Sequence, residues 1–197
     1  MSDITVTGWS VLDEARAMLR TAVAAVPADG WQLPTPCEAW TVTQVLQHAA
    51  LDQEVWAAAL SGAPMPGENP FAPSGQLSTS PAAYADHALE ASGPAWTKVG
   101  DAAQVPTPLP QGPMAPAEAA AAAALDAAIH AWDIAMATGQ GSPLTPELAR
   151  SLTPVATSIV EPLRAYGAYA RALEAEAGAD DAAVLLCYLG RRPDWKL

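Results

Sequence analysis

The chain has 197 residues, 51% of them apolar and only 15% charged, with a formal charge of −12. This length suits a single domain, residues 1–197, able to bury a substantial core without staples. The acidic balance argues against nucleic-acid partners and anionic membrane surfaces, both of which repel it. Cys37 and Cys187 are the two cysteines; they form no CxxC pair and no disulfide framework, so reduced thiols are expected. The N-terminus, MSDITVTGWS, has no basic region leading into an apolar one. No uninterrupted apolar run approaches the ~18–20 residues of a membrane span. The expected compartment is the cytoplasm.

Residues 11–26 place Leu12, Ala15, Leu19, Val23 and Val26 on one helical face, with Asp13, Arg16 and Arg20 elsewhere. Pro27 and Asp29-Gly30 end that helix. Pro34 and Pro36 make the next entry extended, and Thr41 is a suitable N-cap for a second helix of about five turns closed by Gly62. His48 lies in it among apolar residues, with Asp52 one turn on. Taken alone, such a histidine reads as a hydrogen-bonded core residue.

Residues 62–80 form a proline- and glycine-rich loop of the length that is usually functional or mobile. Ser80-Pro81 caps and opens a third helix to about Ser92, where Gly93-Pro94 is expected to break or kink it before Trp96. His87 on this helix reads as a solvated surface residue. After a second irregular connection comes a helix over roughly Ala117–Thr138, 22 residues or about 33 Å at ~1.5 Å per residue. Thr145-Pro146 starts another helix, Thr153-Pro154 restarts it, and Pro162 kinks a continuation through Tyr169. DDAAVLLCYLGRRPDW reads as a short helix stopped by Gly190. No segment alternates as a strand does. These elements predict an all-α fold, an antiparallel four-helix bundle over about residues 9–141 with a C-terminal helical extension over 142–197.

The chemistry-bearing stretch is the alanine-rich one. Asp126, His130 and Asp133 fall at i, i+4 and i+7, one narrow stripe on an otherwise apolar helix. An Asp-x-x-x-His pair can share one ion, and imidazole plus carboxylate suits Zn²⁺, Ni²⁺, Mn²⁺ or Fe²⁺. A third ligand must come from another helix, and His48 is the other histidine on a largely apolar one. Three protein ligands would leave positions open, the catalytic pattern. Asp133 reads as an acceptor that fixes the His130 tautomer, as the partner of an N–H elsewhere in the core, or as an outward-facing aspartate. Cys37 reads as a nucleophile near a helix start or as a packed cysteine. There is neither a G-x-S-x-G elbow nor a phosphate-cradling glycine loop.

TPCEAWTVTQVLQHAALDQ resembles the TPCxxWTVxxLxxH segment of DinB-like metal-binding proteins, in the branch related to mycothiol-dependent maleylpyruvate isomerase. DAAIHAWDIAMATGQ is similar to that branch's ExxxHxWDLAxATG segment, and LLCYLGRRPDW to its closing LLAxLGRxPxW. The resemblance implies a four-helix bundle whose divalent metal, zinc or nickel, is held at the positions of His48, Asp126 and His130. It further implies a low-molecular-weight thiol such as mycothiol or bacillithiol, which attacks a small electrophilic substrate in transfer or isomerisation. Asp126 stands where the family usually has glutamate, which bears on metal choice and occupancy. The isomerase also has a further C-terminal domain, so maleylpyruvate itself is not the expected substrate. The alternatives are a non-catalytic metal-binding or stress-related bundle and a metal-dependent hydrolase, and a monomer or homodimer is expected.

Overall fold

The structure, a computed structural model, describes residues 6–37, 39–100 and 102–197. Six α-helices account for most of it: α1 (Ser10–Ala24), α2 (Val42–Ser61), α3 (Pro81–Thr97), α4 (Pro116–Ala137), α5 (Pro146–Arg164) and α6 (Asp181–Tyr188). A single 3₁₀ turn, Gly30–Gln32, precedes α2. Among the described residues there is no strand, only the isolated bridges Pro34–Thr41 and Val105–Met114.

Local sequence sets the helix starts. Thr41 makes a full capping box: its side chain accepts from the Gln44 N–H, while Gln44 Oε1 accepts from the Thr41 N–H at 3.0 Å. Ser80 and Thr145 each cap a helix whose first residue is proline, as expected from their sequences. Gly62 takes the left-handed conformation that closes α2.

Helix α4 is buried on nearly every side because it packs against α1 and α2 within the bundle and against α5 on its other flank. Its alanines, Ala119, Ala120, Ala123, Ala124, Ala127 and Ala128 among them, are fully buried. Small side chains let the neighbouring backbones approach closely while retaining the best helix propensity. A helix packed all round must be apolar all round, which is why α4 is long and apolar enough to cross a membrane by composition. Its most apolar window is 83% buried inside the protein. Helices α1 and α3 also pack together, as do α2 and α3, which completes the four-helix bundle; α6 packs on α5.

The prolines do not interrupt their helices. Helix α3 runs through Gly93-Pro94 to Thr97, and α5 runs without interruption through Pro154 and Pro162. Pro94, Pro154 and Pro162 are all on exposed faces, so the carbonyl each leaves without an N–H partner is open to water. Apolar packing on the opposite faces holds the helices together: Trp96 is buried 5.7 Å from Trp56, and Val155, Ile159 and Val160 are buried beneath the α5 prolines. The continuation through Tyr169 is not helical. Arg164 ends α5, its guanidinium bonding the Tyr188 carbonyl at 2.8 Å and lying 5.5 Å from the Tyr188 ring.

Arg16 also departs from the reading of α1 as a simple amphipathic helix. It is fully buried and donates from its terminal guanidinium nitrogen to the Leu89 carbonyl of α3. A buried guanidinium is tolerated where a carbonyl accepts from it.

Candidate metal centre

His48 of α2 and Asp126 and His130 of α4 converge across the α2–α4 contact. Their ligand atoms all lie within 4.8 Å of one another. Asp126 Oδ1 is 3.2 Å from His48 Nε2 and 3.4 Å from His130 Nε2. Both histidines are nearly buried, at 6% exposed each. The rings stand 4.7 Å apart and almost perpendicular at 79°.

Each imidazole is held from behind. His48 donates from Nδ1 to the Pro70 carbonyl at 2.9 Å. His130 donates from Nδ1 to Asp133 Oδ2, also at 2.9 Å. With both Nδ1 atoms committed as donors, the two Nε2 atoms are the ones that face Asp126. Asp133 is therefore buried and bonded to His130, the first of its sequence readings, and not outward-facing. It also takes a two-pronged contact from Arg191, Nε to Oδ1 at 2.9 Å and one terminal nitrogen to Oδ2 at 2.8 Å.

The 62–80 loop is fastened to α2 through this arrangement. Besides the Pro70 contact, Gln47 accepts from the Gly75 N–H at 2.8 Å and donates to Glu68 at 2.7 Å, and Gln44 donates to the Pro73 carbonyl at 3.1 Å. Three side chains at i, i+3 and i+4 thus present one polar edge of α2 to the loop. Phe71, at the loop's exposed tip, lies 5.8 Å from the His48 ring; Trp40 lies 4.8 Å from it on another side.

The charges at the cluster act strongly on one another. Burial alone raises the Asp126 carboxyl, but the adjacent His130 and His48 outweigh it and hold Asp126 well below the usual carboxylate range. Burial opposes charge on His130 as well. The Asp126 and Asp133 carboxylates prevail and lift it to about 9. Asp133 is held low, since Arg191 and His130 offset its burial. Asp52 is instead pushed well above the usual range, by burial and then by the charge of Asp126.

The donor set fits a divalent ion. Asp126 Oδ2 is buried with no hydrogen-bond partner, a costly condition that a cation would relieve. Two imidazole nitrogens and a carboxylate are a set that zinc and nickel accept. Aspartate in place of glutamate has not detached the side chain from either histidine. Cys37 lies outside the three ligands: it is half-buried in the turn before α2, close enough to Arg191 to help hold its charge. Cys187 is buried on α6 and His87 is exposed on α3.

Asp52, Tyr169 and Arg191 were not assigned to the site from sequence. Asp52 had a usable signal, one helical turn after His48. Tyr169, half-buried and with its hydroxyl raised first by desolvation and then by the charge of Asp126, had none; nor did the carbonyl of Pro70.

The model for the mycothiol maleylpyruvate isomerase N-terminal domain matches residues 12–135, which include all three candidate ligands and Asp133. Two proteins of Mycobacterium tuberculosis, uncharacterized proteins MT0763 and Rv0738, are each 33% identical over 145 residues, covering 71% of this chain and 72% of theirs. No solved structure matches. The chain belongs to the mycothiol maleylpyruvate isomerase N-terminal domain family.

Proposed function

We propose that this chain is an enzyme that uses a divalent ion, zinc or nickel, held by His48, Asp126 and His130, to work with a low-molecular-weight thiol of the mycothiol type on a small electrophile. The observation that carries the reading is the convergence of two Nε2 atoms on one Asp126 oxygen, each ring tied at Nδ1. A divalent ion there would favour the thiolate form of a bound thiol.

The chain's own residues have separate tasks. His48 and His130 would each turn Nε2 to the ion, His130 giving up its proton as the ion binds, and Asp126 supplies the negative charge. Trp40 and Phe71 flank His48 and keep water from one side of it. Asp52, whose Oδ2 is buried and without a partner, offers a proton or a hydrogen bond to a molecule lodged beside Asp126. The nucleophile comes from the cosubstrate thiol, which accords with the position of Cys37 outside the ligand set. Thiolate addition to an electrophilic carbon gives transfer when the adduct is kept. It gives isomerisation when bond rotation and thiol loss follow. The protein acts in the cytoplasm as a monomer or homodimer, with no nucleic-acid or membrane partner.

Elemental analysis of untagged protein, compared with His130→Ala, tests the ion. The reading requires stoichiometric metal in the wild type and its loss in the variant; metal-free wild type overturns it. A melting-temperature rise on adding thiol, present only in metal-loaded protein, supports thiol use. Metal without any thiol response favours the hydrolase reading, in which a bound water takes the thiol's place.

A further inference from the structure

The segment after α6 brings a cation to the back of the candidate centre. Gly190 adopts φ +81°, and a Cβ there would come within 2.8 Å of the Ala170 side chain and 2.9 Å of the Arg171 carbonyl. That tight exit, closed by the Arg191 N–H on the Leu186 carbonyl at 2.8 Å, turns Arg191 inward. Its side chain is only 9% exposed, and two of its nitrogens grip the two oxygens of Asp133 at 2.9 and 2.8 Å. Asp133, fully buried, uses Oδ2 a second time on His130 Nδ1.

We infer that Arg191 is a positioning residue of the metal centre: by clamping the Asp133 carboxylate it fixes the His130 ring with Nε2 toward Asp126. This rests on the metal-binding reading above. A carboxylate gripped at both oxygens cannot rotate, so the direction in which it accepts from His130 is set by the guanidinium plane. A buried ion pair is weak evidence for stability in itself. One whose carboxylate also orients a ligating histidine acts on metal affinity, as partners behind metal ligands generally do. Besides Asp133 the guanidinium contacts the Leu189 carbonyl at 3.4 Å. Two of its three nitrogens are engaged on Asp133, which directs it at the back of His130. Residue 191 lies beyond the family-matched residues 12–135, so the C-terminal segment completes a centre whose ligands all lie within them.

The test uses the full chain, stripped with chelator and titrated with Co²⁺, reading affinity by competition and geometry from the visible absorption bands. Wild type, Arg191→Met, Arg191→Lys, Asp133→Asn and the Arg191→Met/Asp133→Asn pair are compared, with helical content checked by circular dichroism. The expected result is a 10–100-fold weaker affinity and shifted bands in Arg191→Met. Arg191→Lys should recover part of the loss, and Arg191→Met should add little once Asp133→Asn is present. Wild-type affinity and bands in Arg191→Met, or fully additive losses in the pair, overturn the inference while leaving the metal reading intact. If Arg191→Met does not fold, Arg191→Lys decides: wild-type binding there overturns the inference. A wild-type chain that binds no Co²⁺ overturns both.

Discussion

Nε2 of His48 lies 3.2 Å from Oδ1 of Asp126, joining residues 78 positions apart in the chain. The contact ties α2 to α4 across the interior of the bundle. It exists because His48 is turned by a carbonyl of the 62–80 loop and Asp126 is drawn toward two imidazoles at once. Asp126 Oδ2 is buried without a hydrogen-bond partner, a costly condition for a carboxylate.

Replacing Asp126 by asparagine removes the charge but keeps the size. Zinc affinity should fall by a hundredfold or more, on the order of 3 kcal/mol at 1.4 kcal/mol per tenfold. Asp126→Glu, which restores the family's usual residue, should retain stoichiometric binding because its longer side chain still lies between the two histidines. Competition against a chromogenic chelator measures both. An asparagine variant that binds as tightly as wild type would remove Asp126 from the ligand set.

The metal-free protein should lose stability as pH rises above neutrality. His130 is lifted from its ordinary 6.5 to about 9, so its contribution is complete below about 6.5 and is lost as pH rises through about 9. Asp126 is depressed; its contribution is present above about 3.8 and lost as pH falls through its lower folded value. Asp52, which is raised, lowers stability as pH rises from about 3.8 toward its folded value. Melting temperature in chelator should therefore fall between pH 6 and pH 9.5, and fall less steeply in His130→Gln. Zinc should reverse the trend, because protons compete for the same nitrogen. Equal slopes in the two chelated proteins would contradict the assignment to His130.

Much of this was legible from local sequence because capping and helical spacing are local physics. Thr41, Ser80-Pro81 and Thr145-Pro146 marked helix starts within a residue or so, and the i, i+4 spacing of Asp126 and His130 put both on one face. What could not be read depended on which side of a helix faces the core. Pro94, Pro154 and Pro162 look like breaks until their exposure is known, and Arg16 looks solvent-bound until α3 is laid beside it. The partners behind the histidines, the Pro70 carbonyl and Arg191, are 22 residues from His48 and 58 from Asp133 respectively. Chain crossings chose them: the closing LLCYLGRRPDW segment contains Arg191 without saying what it touches, and no pattern points to Pro70.

Gln47 should hold the 62–80 loop more than it holds α2. It is buried, and its amide serves Glu68, Ser74 and Gly75 together. Gln47→Ala leaves the Gly75 N–H without that acceptor, which costs about 1–3 kcal/mol where the site stays closed to water. Limited proteolysis should then cut within 62–80 at enzyme concentrations that spare the wild type. Since Pro70 belongs to the same loop and orients His48, metal affinity should fall modestly too. A loop as resistant as wild type would show that Gln44 and His48 suffice to fasten it.

Gly190→Ala concentrates the strain at one backbone position. An L side chain is disfavoured at φ +81°, and the added methyl would press on Ala170 and on the backbone carbonyl of Arg171, a contact that cannot be relieved by rotating a flexible side chain. The expected cost is at least ~1 kcal/mol, measured by urea unfolding. Because the turn at 190 aims Arg191 at Asp133, part of the relief should come from displacing Arg191, and zinc affinity should fall along with stability. A control such as Gly178→Ala pairs a similar φ of +83° with no atom within 4 Å of the new Cβ. It should lose some stability and keep its metal. Equal metal loss in both variants would mean that zinc affinity follows global stability and not the placement of Arg191.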